Sequence, residues 1–332
     1  MAFRTIGSFV APTFWRPIWQ FGFAALCLTG LGNATALAQD ARGESQHVIF
    51  LSQRGGAAEL YLLDLNSRQV SQLTNTGRGH TAPSLARAGR GVVFAAREGS
   101  HYELFAASIS QAWRSRRPQL VGMQRLTINT VDEVSPSVSA DGSFIAFASG
   151  DGIEFMTAGG GARQVLVPAS DATREYCPAI SPDGNQVAFI SNRENGRTNT
   201  DEVWVLERAT GALRQLTRDA QPVGGLSWSA DGQKLAFTTT NTVTKLTGVA
   251  IVELANGLAT GAYRVVSEQG DSNPSLSARG DRLLMTSWRD GDAELYLLNL
   301  NDGQTTRLTF SAGLDDGAVF VPTNSGMPTR LP

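Results

Sequence analysis

The sequence predicts an all-β fold, a six-bladed β-propeller with four antiparallel strands in each blade. The first observation is a repeated stretch: ELYLLDLNSRQVSQLT starts at residue 59, and ELYLLNLNDGQTTRLT starts at residue 294, in register and without a gap. The second is a phrase that recurs between these two stretches with an average period of about 47 residues. A period of roughly 40 to 50 residues is typical of propeller blades.

The recurring phrase describes one blade. It reads PSVSADGSFIAF from residue 136, PAISPDGNQVAF from 178, LSWSADGQKLAF from 226 and PSLSARGDRLLM from 274. In the copy at 178, PAIS begins a strand, Asp183-Gly184 suits a tight hairpin turn, and NQVAFIS is a second strand. VWVLER and ALRQLTR follow as the third and fourth strands. Each copy therefore predicts one four-stranded blade.

The two ends of the repeat array complement each other. The first copy lacks its opening strand and begins at HVIFLS, whereas the last copy consists only of DDGAVFVP at 315–322. Because an open ring would leave strand edges unpaired, we expect the C-terminal strand to close the ring inside the first blade. The predicted blades lie near residues 46–80 with 315–322, 81–130, 131–172, 173–220, 221–269 and 270–314.

Residues 1–38 have the pattern of a secretory signal peptide. Arg4 and Arg16 give a positive start, FGFAALCLTGLG is an apolar run, and Ala36 and Ala38 form a cleavage signal. The apolar run is about 12 residues long, and a membrane span needs roughly 20. We expect residues 39–332 to be an exported propeller, periplasmic or secreted, with no membrane span after cleavage. The alternative is an uncleaved anchor.

Composition excludes some classes of function. Hydrophobic residues make up 42% of the chain and charged residues 17%, which supports a large core and argues against disorder. The net charge is −2 and no basic stripe is present, so we expect no nucleic-acid partner. Of the two cysteines, Cys27 lies in the leader, and Cys177 is either a small buried residue or a reactive thiol. We expect a monomer.

The repeat resembles that of the TolB propeller family. The resemblance rests on four motifs in order along each repeat. They are the phrase P-x-[WFIVL]-S-[PA]-D-G-x-x-[IVL]-A-F, the S-x-R motif that follows it, an E-[LI]-Y strand and a closing R-L-T. The resemblance covers about 46–322 and does not extend to the α/β domain that precedes the propeller in TolB. It implies a cell-envelope partner, of the peptidoglycan-associated lipoprotein type, and a metal ion in the channel.

The mouth of the central channel is the candidate binding site. We call the residue three positions before each copy of the phrase its mouth position. These positions are His80, Glu133, Glu175, Val223, Asp271 and Asp315. Sixfold geometry would bring the four acids toward one axis, where Ca²⁺ or a basic partner group would relieve their repulsion. The predicted metal ligands are Glu133, Glu175, Asp271 and Asp315. The alternative is that each acid caps turn amides of its own blade.

No residue pattern indicates catalysis. His47 opens a strand, His101 lies in a hairpin loop, and the sequence contains no H-E-x-x-H, C-x-x-C, phosphate loop or G-x-S-x-G motif. We therefore predict a non-catalytic binding or scaffold propeller that engages an envelope protein or a small ligand at the channel mouth. The alternative is a metal-dependent hydrolase or lyase that acts on a sugar or lactone in the channel.

Overall fold

The computed structural model describes residues 45–81, 83–86, 91–110, 118–170, 173–193, 200–218, 220–255 and 257–322. These residues form strands and turns, and they contain no helix that could cross a membrane. The predicted signal peptide lies outside the described residues. Asp40–Pro332 form one compact unit.

Within the described ranges, 25 strands form six antiparallel sheets arranged as the blades of a ring. The first three blades contain β1 (His47–Ser52), β2 (Glu59–Asp64) and β3 (Val70–Gln72); β4 (Ser84–Leu85), β5 (Gly91–Glu98), β6 (His101–Ile109) and β7 (Leu120–Arg125); and β8 (Val134–Val138), β9 (Phe144–Ser149), β10 (Gly152–Thr157) and β11 (Gln164–Pro168). The last three contain β12 (Glu175–Ile180), β13 (Gln186–Ser191), β14 (Glu202–Glu207) and β15 (Leu213–Gln215); β16 (Pro222–Trp228), β17 (Lys234–Thr240), β18 (Thr247–Ala255), β19 (Leu258–Ala259) and β20 (Arg264–Ser267); and β21 (Asp271–Leu276), β22 (Arg282–Ser287), β23 (Glu294–Asn299) and β24 (Thr305–Arg307).

The C-terminal strand, β25 (Asp315–Phe320), closes the ring as predicted. It is the innermost strand of the first blade, whose strand order is β25-β1-β2-β3. The register places Val319 opposite Ile49 and Asp315 opposite Ser52. Backbone hydrogen bonds of 2.9 Å extend the pairing at both ends, from Gln53 N–H to the Leu314 carbonyl and from Val321 N–H to the His47 carbonyl. The six-bladed propeller predicted from the repeats is therefore confirmed.

Six hydrophobic clusters hold the ring together, and each lies between two consecutive blades. The last position of the repeat phrase supplies a fully buried phenylalanine to five of the six blades. These residues are Phe50, Phe94, Phe147, Phe189 and Phe237, with Met285 at the same position of the sixth blade. Tyr61 and Tyr296, the repeated tyrosines of the two similar stretches, pack in the clusters on either side of the sixth blade.

Candidate functional site

The mouth positions lie at one end of the ring, where the innermost strands begin. Glu175, Asp271 and Asp315 are the first residues of β12, β21 and β25, and Glu133 directly precedes β8. All four acids are buried, with at most 6% of their surface exposed. Burial of this kind demands a compensating partner for each carboxylate, because a buried charge is costly unless it is paired.

An arginine of the same blade pairs with three of these acids. The ion-pair distances are 2.7 Å from Arg193 to Glu175, 2.9 Å from Arg289 to Asp271 and 2.9 Å from Arg54 to Asp315. Each arginine belongs to the S-x-R motif that ends the second strand of its blade. The guanidinium groups also stack on aromatic side chains of the third strand, as Arg289 does on Tyr296 at 4.6 Å. In these three blades the S-x-R arginine therefore pairs with the buried mouth acid and contacts the aromatic side chain of the third strand.

In the third blade, an arginine from a different part of the sheet pairs with the mouth acid. Its loop after the second strand is short and lacks the arginine of S-x-R. Arg163 instead bridges Glu133 at 2.5 Å and Glu154 at 2.6 Å, and the Asn129 side chain donates a hydrogen bond to Glu133. Burial raises the pKa of Glu133, and the negative charge of nearby Glu103 raises it further. Hydrogen bonds from Thr127 and Asn129 and the charge of Arg163 lower this pKa, but the net shift is upward.

A second set of buried carboxylates was not singled out from the sequence. It consists of the glutamates at the E-[LI]-Y position of four blades, where the sequence reads ELY, ELF, EVW and ELY: Glu59, Glu103, Glu202 and Glu294. The threonine of the closing R-L-T motif links each glutamate to the backbone of the same blade. In the fourth blade, the Thr217 hydroxyl donates to Glu202 at 2.6 Å and accepts the Val203 N–H at 2.9 Å. The signal was present in the repeat, because Glu and Thr recur together in four of its copies.

His80 joins this second set through its contact with Glu59. Its side chain is 1% exposed, and its Nε2 lies 2.9 Å from the Glu59 carboxylate. Its ring packs edge-on against Phe94, with the centroids 5.0 Å apart. Burial lowers the pKa of His80, and the attraction of Glu59 opposes that effect. His80 therefore serves the packing of the first and second blades.

The four acids do not fit a cation that they would share. Glu133, Glu175, Asp271 and Asp315 each hold a guanidinium group within 2.9 Å. Across the described ranges, no group of three or more His, Cys, Asp or Glu side chains could hold a metal ion. Each acid binds side chains of its own blade, and Asp271 also accepts the Gln269 N–H of the preceding loop at 2.9 Å, which is the kind of amide capping that the alternative predicted. Ca²⁺ binding by these residues stays a prediction.

The fifth blade lacks both carboxylates. Val223 occupies its mouth position and is 47% exposed. Gly248 occupies the position of the E-[LI]-Y glutamate, opposite Thr239, and a Cβ there would lie 2.5 Å from the Ser267 carbonyl oxygen. Val243 and Leu246, in the loop between β17 and β18, are 86% and 45% exposed. The charged ring is therefore interrupted at this blade by an apolar surface.

Exposed apolar side chains concentrate at the channel mouth. The mouth face consists of the loops that precede the innermost strands, the first two residues of those strands, and the loops that join second to third strands. Six of the twelve large hydrophobic side chains that are exposed in the described ranges lie on it. They are Ile128, Val131, Val223, Val243, Leu246 and Phe310. Five others lie on outermost strands, and Leu258 is on the opposite face.

The central channel has a different character from its mouth. It is a cavity of about 410 Å³ lined by all six innermost strands, and none of its described lining residues is Asp, Glu, His, Lys or Arg. Cys177 lines it and is partly exposed, and desolvation by the surrounding protein raises the pKa of this thiol, which argues against a reactive thiol.

The opposite pKa shifts of two buried glutamates predict opposite pH dependences. Because the pKa of Glu133 is raised, its contribution to stability is present at low pH and is lost as pH rises through the folded-state pKa. Burial also raises the pKa of Glu59, but hydrogen bonds from Thr74, Gly77 and Thr76 and the charge of His80 outweigh it and lower the pKa. The contribution of Glu59 is therefore present at neutral pH and is lost as pH falls.

We expect the stability cost of Glu133→Gln to shrink between about pH 4 and pH 7, and the cost of Glu59→Gln to grow over the same range. Urea unfolding of both variants and the parent at several pH values measures the two slopes. Slopes of the same sign would contradict the assigned environments of these two carboxylates.

Comparison with known proteins gives partial matches to one family. No family model matches the chain. The Protein TolB homolog of Chlorobium chlorochromatii is 31% identical over 179 residues, which cover 52% of this chain and 33% of that protein. The chain thus spans about a third of the length of this curated relative.

Solved structures share the fold at low identity. The crystal structure of TolB from Acinetobacter baumannii matches with a TM-score of 0.68 at 16% identity, covering 83% of this chain and 67% of that chain. Oligogalacturonate lyase in complex with manganese matches with a TM-score of 0.53 at 14% identity, covering 77% of this chain and 86% of that chain. Together with the repeat phrase and the closed six-bladed ring, these similarities support a β-propeller of the TolB type.

Proposed function

We propose that this chain is a non-catalytic, exported binding propeller that docks a cell-envelope protein on its mouth face. The observation that carries the proposal is the concentration of exposed apolar side chains there. Ile128, Val243 and Phe310 are 81%, 86% and 76% exposed. Large apolar groups gathered on one face of a soluble fold mark interaction surfaces, because their burial against a partner is favourable.

The fifth blade is the proposed anchor of this docking surface. Thr240 N–H donates to the Gln221 carbonyl and Asn241 N–H donates to the Leu246 carbonyl, so the loop stands beside the start of β16. That arrangement sets Val223, Val243 and Leu246 on neighbouring strand ends. In the described parts of the other blades, the mouth position is a buried polar side chain. At the mouth positions, a partner would therefore meet an exposed apolar side chain in the fifth blade and buried, paired polar side chains in the others.

The resemblance to TolB propellers supplies the class of partner. TolB binds a peptidoglycan-associated lipoprotein through its propeller, and the predicted leader would deliver this chain to the periplasm, where such a partner is found. The proposed partner is the soluble domain of a lipoprotein of this type. A basic partner group would have to displace arginines from Glu133, Glu175, Asp271 or Asp315, which makes apolar contact the more favourable mode.

The alternative function, a metal-dependent hydrolase or lyase, has less support. Such an enzyme needs carboxylates or imidazoles that face the substrate, as ligands and as acid–base groups. The described channel lining offers neither, and the acids at the mouth are each engaged by arginine. The likeness to oligogalacturonate lyase is a likeness of fold.

Calorimetric titration of the propeller with the lipoprotein domain of the same bacterium tests the proposal. We expect Val223→Asp to weaken binding about 30-fold or more, because a charge in an apolar contact costs at least about 2 kcal/mol. Leu258→Asp is the matched control, since Leu258 is also exposed and lies on the opposite face. Equal binding by both variants, or no binding by the parent, would overturn the proposal.

A further inference from the structure

We propose that the central channel is a second binding site, which takes an uncharged, hydroxyl-rich small molecule such as a neutral mono- or disaccharide. The inference rests on the channel wall and does not depend on the protein partner proposed for the mouth face. The cavity volume of about 410 Å³ lies within the range of roughly 300 to 1,000 Å³ that small-molecule sites occupy.

The wall selects against charged ligands. Its polar side chains are serines, Cys177 and Asn273, and its described part carries no ionisable group other than the thiol. A carboxylate or ammonium group that entered would lose its hydration without gaining a counter-charge, which costs several kcal/mol. The carboxylates at the mouth positions are paired with arginines, and Asp316, next to the wall, accepts hydrogen bonds from the Asn273 side-chain amide, the Thr286 hydroxyl and the Gly317 N–H. The site therefore favours an uncharged sugar over a uronate or an amino sugar.

Serine side chains recur at one level of the channel wall. Four positions after the mouth position stand Ser84, Ser137, Ser227 and Ser275, all of which line the cavity. Three of these hydroxyls accept a backbone N–H from the innermost strand of the next blade, at 2.9 to 3.0 Å from Val138, Ile180 and Leu276. A hydroxyl that accepts such a bond keeps its own proton to donate. The bond also fixes the oxygen, so the donors are preorganised for a ligand with several acceptors.

The backbone of the wall is bent at one level in five blades. Ser135, Cys177 and Asn273 have φ values of 54°, 50° and 49°, and Gly225 and Gly317 occupy the same level with positive φ. Each lies at a bulge, where the pairing of the innermost strand with its neighbour skips residues. Left-handed conformations cost about 1 kcal/mol or more for residues with a side chain. A repeated cost of this kind at a channel wall is typical of a site that positions groups for a ligand.

Apolar groups complete the wall, and solvent reaches it. Leu226 and Val319 line the cavity beside Pro178 and Pro274, which offers flat apolar surface to the C–H faces of a sugar ring. Ser137, Ser227 and Ser275 are only partly buried, so the cavity is connected to solvent. A mixed wall with a few oriented polar groups is the usual composition of small-molecule sites.

Ligand-observed NMR and calorimetry on the full chain test the proposal with maltose and trehalose, with galacturonic acid, and with glucosamine. We expect at least one of the two neutral disaccharides to bind with one site per chain, and the two charged sugars to bind at least about tenfold more weakly. Ser275→Leu removes the hydroxyl and adds apolar bulk to the channel wall, and it is expected to abolish this binding. Ser275→Ala removes one hydroxyl and is expected to weaken it about 2- to 10-fold.

Ser67→Ala is the matched control, because Ser67 is exposed in a turn outside the channel. Thermal melts establish that each variant is folded before binding is compared. Binding that survives in folded Ser275→Leu, equal binding of charged and neutral sugars, or no binding of either disaccharide at millimolar concentration would overturn the proposal. If Ser275→Leu does not fold, Ser275→Ala against Ser67→Ala decides, with equal affinities counting against the site.

Discussion

A chain cut after Gly313 is expected to lose the cooperative unfolding transition of the ring. The cut removes β25, which pairs with β1 and contributes Ala318 to the cluster between the sixth and first blades. It also removes Asp315, which leaves Arg54 without the carboxylate that it contacts at 2.9 Å. Together these losses should exceed about 5 kcal/mol, which is comparable to the whole stability of many domains. Thermal and urea unfolding monitored by circular dichroism measure the loss.

Adding the missing strand back as a peptide distinguishes the loss of ring closure from a general effect of shortening the chain. A chain cut after Pro322 retains β25 and is the control for removal of the residues that follow. Adding a synthetic peptide of residues 313–322 to the chain cut after Gly313 should restore a cooperative transition. The same peptide with Asp315→Ala should restore it less well, because it cannot form the ion pair with Arg54. Cooperative unfolding of the shorter chain without any peptide would contradict closure by β25.

Arg193→Ala is expected to destabilise the propeller by about 3 to 5 kcal/mol. The substitution leaves the Glu175 side chain, which is fully buried, without its guanidinium partner at 2.7 Å. Removing one member of a buried ion pair has this cost because the remaining charge keeps its desolvation penalty. Urea unfolding gives the change directly. A double variant, Glu175→Gln with Arg193→Ala, should recover part of the loss because glutamine carries no charge.

Arg174→Ala is the matched control for this prediction. Arg174 pairs with Asp201 at 2.8 Å, but its side chain is 62% exposed. Exposed pairs contribute about 1 kcal/mol or less, because solvent screens them and side-chain ordering opposes them. The two arginine substitutions should therefore differ several-fold in cost. Equal costs would mean that burial does not govern the strength of these pairs.

The structure confirms most of what the repeats predict about the fold. The spacing of the phrase fixed the number of blades, and the incomplete first and last copies indicated that β25 would complete the first sheet. Both inferences come from counting strands, and unpaired edges are unfavourable in any ring. The repeats did not predict the additional strand of the fifth blade. The fifth blade places β20 outermost and adds the short strand β19, because its insertion pairs locally with the end of β18.

The candidate site was only partly accessible from sequence. The phrase brought Glu133, Glu175, Asp271 and Asp315 to one end of the ring, as the structure confirms for their strand positions. The phrase did not predict the partners of these acids, because the arginines come from different elements of the blades. Arg193 follows the second strand of its blade, whereas Arg163 precedes the fourth strand of its blade. The sequence assigned no role to Val223, and in the structure this residue is exposed on the mouth face.

The sequence by itself determined the number of blades, their strand order and the way in which the ring closes. These follow from periodicity, turn residues and the need to pair every strand edge, all of which are local or countable properties. Only the tertiary structure decided that the mouth acids are paired, that the channel wall is uncharged and that the fifth blade presents apolar surface. Those properties depend on which side chains meet across strands and between blades, and spacing along the chain does not specify such contacts.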